Sequence, residues 1–289
     1  MRLTLFLLLT ALGSLAIPAA CGGDNTEEPL RLEPVGHVEK SAGHEISGLV
    51  KSRFHQKVFW AINDSGYPAA IVPLSPDGAV ASASGHMIRV PGASNIDWES
   101  LAIDRSGKLY ICDVGNNFSR RKELQIYVVQ EPSPNSSSTL SPEVLKVRYP
   151  DQKKTLPAKL IHDCEAAFIY NEKLYLLTKR LSDAATALYR LDSQKRTAVN
   201  TLTFVTAYPI GGYVTAADVS PDQKLLAVLT YQSLWILYDF RNDDFFNGRK
   251  KKIPLKGTGQ VESLAFTSAR DLMLINETNN EIFSIKLDI

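Results

Sequence analysis

Acidic and amide side chains recur in this chain wherever a short apolar run begins or ends. Ser47, Asn63-Asp64, Asp97, Glu99, Asp113, Asn116-Asn117, Asp163, Glu165, Glu262 and Asn276-Glu277 all stand at such positions. Carboxylates brought together repel unless they are hydrogen-bonded, protonated or neutralised by a cation. Their hard oxygen atoms suit calcium or magnesium better than zinc. Glu99, Asp113 and Glu165 therefore form the candidate metal trio. Asn63, Asp64, Asp97, Asn116, Asp163, Glu262, Asn276 and Glu277 are candidate ligand-binding residues beside them. Lys179, followed by Arg180, is the cation placed either to pair with these acids or to meet an anionic ligand. The same side chains have a plain alternative use, capping strand ends and locking neighbouring elements together.

Other chemistries find no support. The five histidines, His37, His44, His55, His86 and His162, show no H-E-x-x-H or other paired zinc spacing. There is no G-x-S-x-G elbow and no phosphate loop ending in G-K-[ST]; Gly257-Thr258-Gly259 is an isolated fragment. With 32 basic and 31 acidic side chains the formal charge is +1, which excludes the broad basic surface of a nucleic-acid binder. Arg249-Lys250-Lys251-Lys252 is a local exception, readable as a contact for anionic lipid or as a solvated strand end. Trp60, Trp98, Tyr110, Tyr175 and Trp235 occupy strand positions and read as core rather than as a sugar-stacking platform.

The elements that must position the acids are short. From residue 30 onward, apolar or alternating runs of a few residues are divided by Gly, Pro, Asn, Asp and Ser, with no helical stripe, which is an all-β pattern. Five segments superpose, opening at Ser47, Glu99, Glu165, Thr215 and Glu262, with spacings of 52, 66, 50 and 47 residues (99 − 47, 165 − 99, 215 − 165, 262 − 215). A propeller blade of four strands takes about 40–50 residues. Each opening runs into a small-apolar strand. A second strand follows (58–62, 109–112, 174–177, 225–229, 272–275), then a third (71–72, 125–129, 187–191, 234–238, 282–285). The turns Asp104-Arg105-Ser106-Gly107 and Ser220-Pro221-Asp222-Gln223 fall between first and second strands.

These units read as a β-propeller of five four-stranded blades over residues 31–289, with residues 32–38 supplying the missing last strand and closing the ring. Six blades is the alternative, if the long second unit hides further strands around Glu131-Pro132-Ser133-Pro134-Asn135-Ser136-Ser137-Ser138; that stretch reads as a solvent loop. In a propeller the polar strand ends gather around one mouth of the central channel.

Glu45-Ile46-Ser47-Gly48-Leu49, Phe59-Trp60-Ala61-Ile62-Asn63-Asp64-Ser65-Gly66, Asp97-Trp98-Glu99-Ser100-Leu101-Ala102 and Leu109-Tyr110-Ile111-Cys112-Asp113-Val114-Gly115-Asn116-Asn117 resemble bacterial envelope propellers of the SdiA-regulated type. The resemblance covers most of residues 40–289 and weakens in the fourth repeat. It implies a propeller fold and an exported protein, without a defined activity. Relatives often carry a small residue where this chain has Cys112 and Cys164, so no thiol function follows.

The first residues read as an address. Met1-Arg2 and an apolar run to Leu15 are too short for a comfortable membrane span and give way to small residues, as in a cleaved signal peptide over residues 1–20. Ala19-Ala20-Cys21 resembles the lipobox of a bacterial lipoprotein precursor, which implies that Cys21 is acylated and becomes the mature N-terminus; Pro18 departs from the usual Leu. The polar residues 21–30 would then form a flexible tether. Gly22 after the cysteine would favour the periplasmic face of the outer membrane in a Gram-negative host. In that oxidising compartment Cys112 and Cys164 are open to a disulfide, or else serve as two buried small hydrophobes.

Two functions fit these residues. One is a lipid-anchored binding or scaffold module whose mouth holds an envelope protein or a small ligand, with no role in nucleic-acid binding. The other is a calcium- or magnesium-dependent hydrolase, most suited to phosphoesters, with its site in the acidic mouth.

Overall fold

The structure, a computed structural model, describes residues 28–152 and 161–289. The expected signal peptide, Cys21 and the expected tether up to residue 27 lie outside the described residues. Two short strands, β1 (Leu30–Arg31) and β2 (Gly36–His37), precede the first blade.

Five antiparallel sheets follow in chain order. The first holds β3 (Ile46–Lys51), β4 (Phe59–Asn63), β5 (Ala70–Leu74) and β6 (Ile88–Arg89). The second holds β7 (Trp98–Ile103), β8 (Lys108–Asp113), β9 (Leu124–Gln130) and β10 (Glu143–Arg148). The third is built from β11 (Asp163–Tyr170), β12 (Lys173–Lys179), β13 (Thr186–Leu191) and β15 (Thr203–Tyr208); β14 (Asn200–Thr201) adds instead to the edge of β10. In the fourth are β16 (Val214–Val219), β17 (Leu225–Thr230), β18 (Ser233–Tyr238) and β19 (Arg249–Lys256). The last has β20 (Val261–Phe266), β21 (Asp271–Asn276) and β22 (Glu281–Lys286).

The innermost strands touch in a closed cycle, β3 to β7 to β11 to β16 to β20 and back to β3, which makes the assembly a five-bladed propeller. Its fifth blade borrows its outer strand from the front of the chain: β2 pairs with β22 through Gly36 and His37. Next to it β1 lies parallel to β19. No sixth blade hides in the second unit, because the residues after its loop form β10, the ordinary fourth strand. The loop itself is not wholly a solvent loop. Its first residue, Glu131, is buried and accepts hydrogen bonds from Ser52 Oγ and Trp60 Nε1, both at 2.6 Å, tying the second blade to the first.

Second strands are apolar along most of their length because each is covered on both faces. Five hydrophobic layers fill the gaps between adjacent blades, one per gap. Near the axis the packing demands small residues. A Cβ on Gly48 would lie 2.8 Å from the backbone nitrogen of Leu101 in the next blade, too close for any side chain. Cys112 and Cys164 are free thiols buried in the layer between the second and third blades, and burial pushes both pKa values up.

Every blade repeats one irregularity. The pairing of first and second strands slips at Ile46/Gly48, Trp98/Ser100, Cys164/Ala166, Val214/Ala216 and Val261/Ser263. The residue skipped is Ser47, Glu99, Glu165, Thr215 or Glu262. A β-bulge leaves its extra residue out of the ladder and re-aims the side chain. The five openings of the sequence repeat are thus the five bulge positions, at the same end of the innermost strand in each blade.

Candidate functional site at the acidic channel mouth

The five bulge positions divide by chemistry. Ser47 Oγ donates to Trp98 O at 2.6 Å and Thr215 Oγ1 donates to Val261 O at 2.8 Å, so the hydroxyls stitch one blade to the next. The other three carry carboxyls. Glu262 accepts from Tyr231 Oη at 2.8 Å, and Glu165 accepts from Lys179 Nζ at 2.9 Å. Glu99 is 4% exposed, and burial together with Glu165 and Asp64 pushes its pKa well above the usual range.

Flanking positions add further acids. Asp97 and Asp163 each stand two residues before a bulge glutamate. Burial, then the charge of Asp64, raises Asp97 to about 6 although Arg121 lies 3.9 Å away. Asp163 is fully buried: Oδ1 accepts the Asn116 amide at 2.6 Å, and the Glu165 carboxyl lies within hydrogen-bonding reach of its side chain. Burial also raises Asp64, against the hydrogen bond it accepts from the Ser65 amide, and pushes Glu277 to about 8, with Glu262 the next cause. Burial works against the Lys179 ammonium, yet Glu165 and its neighbours hold its pKa up. The acids outnumber the cations Arg121 and Lys179 at this mouth, and most titrate upward because the protein offers their charges too little compensation.

One oxygen each from Asp64, Asp97 and Glu99 lies within 4.8 Å of the others. These come from adjoining blades: Asp64 follows β4, and Asp97 and Glu99 flank the start of β7. Gly115 makes the approach possible, since a Cβ there would fall 2.6 Å from Asp97 Oδ2 and from Glu99 Cγ. Calcium and magnesium bind oxygen ligands at about 2.0–2.6 Å, so oxygens spaced this way can share one ion.

This trio is not the one the sequence favoured. Glu99 belongs to it, but Asp113 is turned away: fully buried, it accepts from Arg121 Nη2 at 2.7 Å, from the Asp97 amide at 3.0 Å and from Gln125 Nε2 at 3.2 Å. Glu165 is engaged by Lys179. The three amides also serve the frame. Asn63 Nδ2 donates to Ala42 O, Asn116 Oδ1 accepts from the Arg121 amide, and Asn276 Oδ1 accepts from Thr278 and Asn279. Asp64, Asp97, Asp163, Glu262 and Glu277 remain around the mouth with Glu99 and Glu165. Arg121, Tyr231 and Gly115 escaped the sequence reading. Gly115 stood within a quoted motif, whereas Arg121 lies in a polar loop with nothing to mark it. Trp60, Trp98, Tyr110 and Tyr175 are core residues.

No family model matches the chain, and neither does any curated protein. Solved structures do resemble it. A PQQ-bound aldose sugar dehydrogenase from Streptomyces coelicolor superposes over 89% of this chain and 98% of its own, with a TM-score of 0.53 and 10% identity. A gluconolactonase from Xanthomonas campestris matches over 81% of this chain and 69% of its own, with a TM-score of 0.47 and 11% identity. At these identities the likeness is one of fold.

Proposed function

We propose that this protein is an exported binding module, anchored to the bacterial envelope through Cys21, whose channel mouth holds a divalent cation and, through it, a small oxygen-rich ligand or an envelope protein. The observation that carries the reading is the convergence of Asp64, Asp97 and Glu99 within 4.8 Å in a poorly neutralised mouth. Calcium and magnesium are the ions such a donor set suits, and bound water or a ligand oxygen would complete the coordination.

Calorimetric titration of the purified, EDTA-dialysed protein with calcium and with magnesium tests the reading. Saturable binding at one ion per chain is expected, and its loss in Glu99→Gln. Absence of binding by both ions overturns it. The anchor is tested separately: the wild-type protein should enter the detergent phase on extraction of whole cells, and Cys21→Ser the aqueous phase.

The same trio favours a second reading, a cation-dependent phosphoesterase. A divalent cation held by Asp64, Asp97 and Glu99 would polarise a phosphoryl oxygen and lower the pKa of a water bound to it. Release of nitrophenol from nitrophenyl phosphate by the calcium- or magnesium-loaded protein, lost in Asp97→Asn, would establish it. Absence of turnover leaves the binding module.

A further inference from the structure

At the opposite end of the fourth blade the charge reverses. β19 opens with Arg249-Lys250-Lys251-Lys252, on a chain of formal charge +1. Its register places Pro254 beside Ser233, near the acidic mouth, and Arg249 beside Tyr238, at the far end. β1 covers only Leu255 and Lys256; among the described residues no strand lies against the edge of the basic run.

Alternation along the strand sends Lys250 and Lys252 to one face of the sheet and Arg249 and Lys251 to the other. Aromatic rings hold three of them in place. Lys250 Nζ lies 5.5 Å over Tyr208, Lys252 Nζ 5.3 Å over Trp235 and the Arg249 guanidinium 5.0 Å over Tyr238. Hydrogen-bond partners of the lysines are carbonyls: Phe246 O and Gly248 O for Lys250, Asp288 O for Lys251. Arg249 has Asp239 at 3.7 Å, but none of the three lysines forms an ion pair among the described residues. Asp243 and Asp244 lie on the flank beside Lys250; Asp243 is already engaged by Arg190, and Asp244 accepts from Asn247 Nδ2. Rings and carbonyls thus order the ammonium groups without neutralising them. Edge lysines discourage strand-to-strand aggregation, but that role does not require four consecutive cations.

The route of the chain supplies the second observation. β1 is parallel to β19, with Leu30 beside Leu255 and Arg31 beside Lys256, so the backbone enters β1 from the lysine end. Cys21 precedes Leu30 by nine residues (30 − 21), a span of at most about 30 Å when extended. An anchor on Cys21 would keep Leu30, and Leu255 beside it on β19, within that distance of a bilayer.

We propose that the open edge of β19 is the membrane-facing surface of this protein and docks on anionic phospholipid headgroups through Arg249, Lys250, Lys251 and Lys252. The orientation rests on the Cys21 anchor proposed above; the affinity for headgroups does not. In this pose the bilayer meets the flank of the fourth blade, and the acidic mouth lies at the other end of β19 from the basic run.

The test uses the mature chain from residue 21 carrying Cys21→Ser, which has neither the signal segment nor the acyl anchor, in sedimentation with vesicles of phosphatidylglycerol and phosphatidylcholine in equal parts, or of phosphatidylcholine alone. Binding is expected only to the anionic vesicles, and should disappear at high salt. Each lysine is expected to contribute about fivefold, and Lys250→Ala/Lys251→Ala/Lys252→Ala together more than about a hundredfold. Lys40→Ala/Lys122→Ala/Lys146→Ala makes the same charge change at exposed sites elsewhere and should lose far less; melting curves confirm that both triple variants are folded. Equal loss in the two triple variants, equal binding to the neutral vesicles, or full binding by the β19 variant overturns the proposal. Failure of Cys21 acylation in the separate extraction experiment would remove the anchor and leave this result untouched.

Discussion

Replacing Asp97 with Asn should make the protein more stable and, at the same time, blind to divalent cations. In the folded state Asp97 titrates at about 6 rather than 3.8. Because the folded pKa is raised, the group favours folding fully below pH 3.8 and loses that contribution as pH climbs towards 6. At pH 7.5 the cost of the charged carboxylate is therefore present in full. Each pKa unit corresponds to about 1.36 kcal/mol, so the shift sets a ceiling near 3 kcal/mol. The side chain retains 20% exposure, and solvent screening reduces the figure to about 1–2 kcal/mol. For a domain of this size each kcal/mol moves Tm by about 2–4 °C, so Asp97→Asn in EDTA should melt about 2–8 °C above wild type. Wild type should gain about 2.7 kcal/mol at a hundredfold excess of cation over Kd, and the Asp97→Asn variant nearly none. Below pH 6 the wild-type response should weaken as protons compete for the same oxygens. Differential scanning calorimetry in EDTA and in calcium, at pH 5.5 and 7.5, measures all three effects. A variant that is less stable than wild type in EDTA, or that keeps its calcium shift, refutes the reasoning.

Three further substitutions probe the supports of the mouth. Gly115→Ala should cost about 1–3 kcal/mol by overpacking and weaken cation binding, because its methyl would overlap Asp97 and Glu99; denaturant melts and calorimetric titration read the two effects. Lys179→Ala strands the buried Glu165 and should destabilise by about 3–5 kcal/mol, most of it regained in Lys179→Met/Glu165→Leu, as urea unfolding will measure. Glu131→Ala leaves Ser52, Trp60 and the Arg53 and Phe54 amides without their acceptor. A loss of about 3–5 kcal/mol is expected, against no change for the exposed Leu140→Ala in the same melts.

Blade order, strand positions and ring closure were legible because a repeat superposes chemically equivalent positions, and each opening fell on a bulge. The bulge fixes which side chain leaves the ladder, so Glu99, Glu165 and Glu262 could be located without coordinates. Their partners could not. Whether Asp113 or Asp64 approaches Glu99 depends on the pleat: Asp113 pairs with Trp98 inside the ladder and turns to Arg121, whereas Asp64 lies one residue past the ladder and is free to lean across to the next blade. Glu131 was hidden for a related reason, since its partners are 71–79 residues away and no local pattern points to them.

The borrowed outer strand has a consequence for the timing of folding. Gly36 pairs with Ile282 across 246 intervening steps of chain (282 − 36). A ribosome makes β2 long before β22, and so long a loop closes late. The first four blades can stack as they form, but the fifth stays incomplete until β22 is free to pair. Until that moment β2 has no β22 to pair with, and the edge of the nascent fifth blade stays open to any other extended chain. A factor that shields this edge would act on a single, late step of folding.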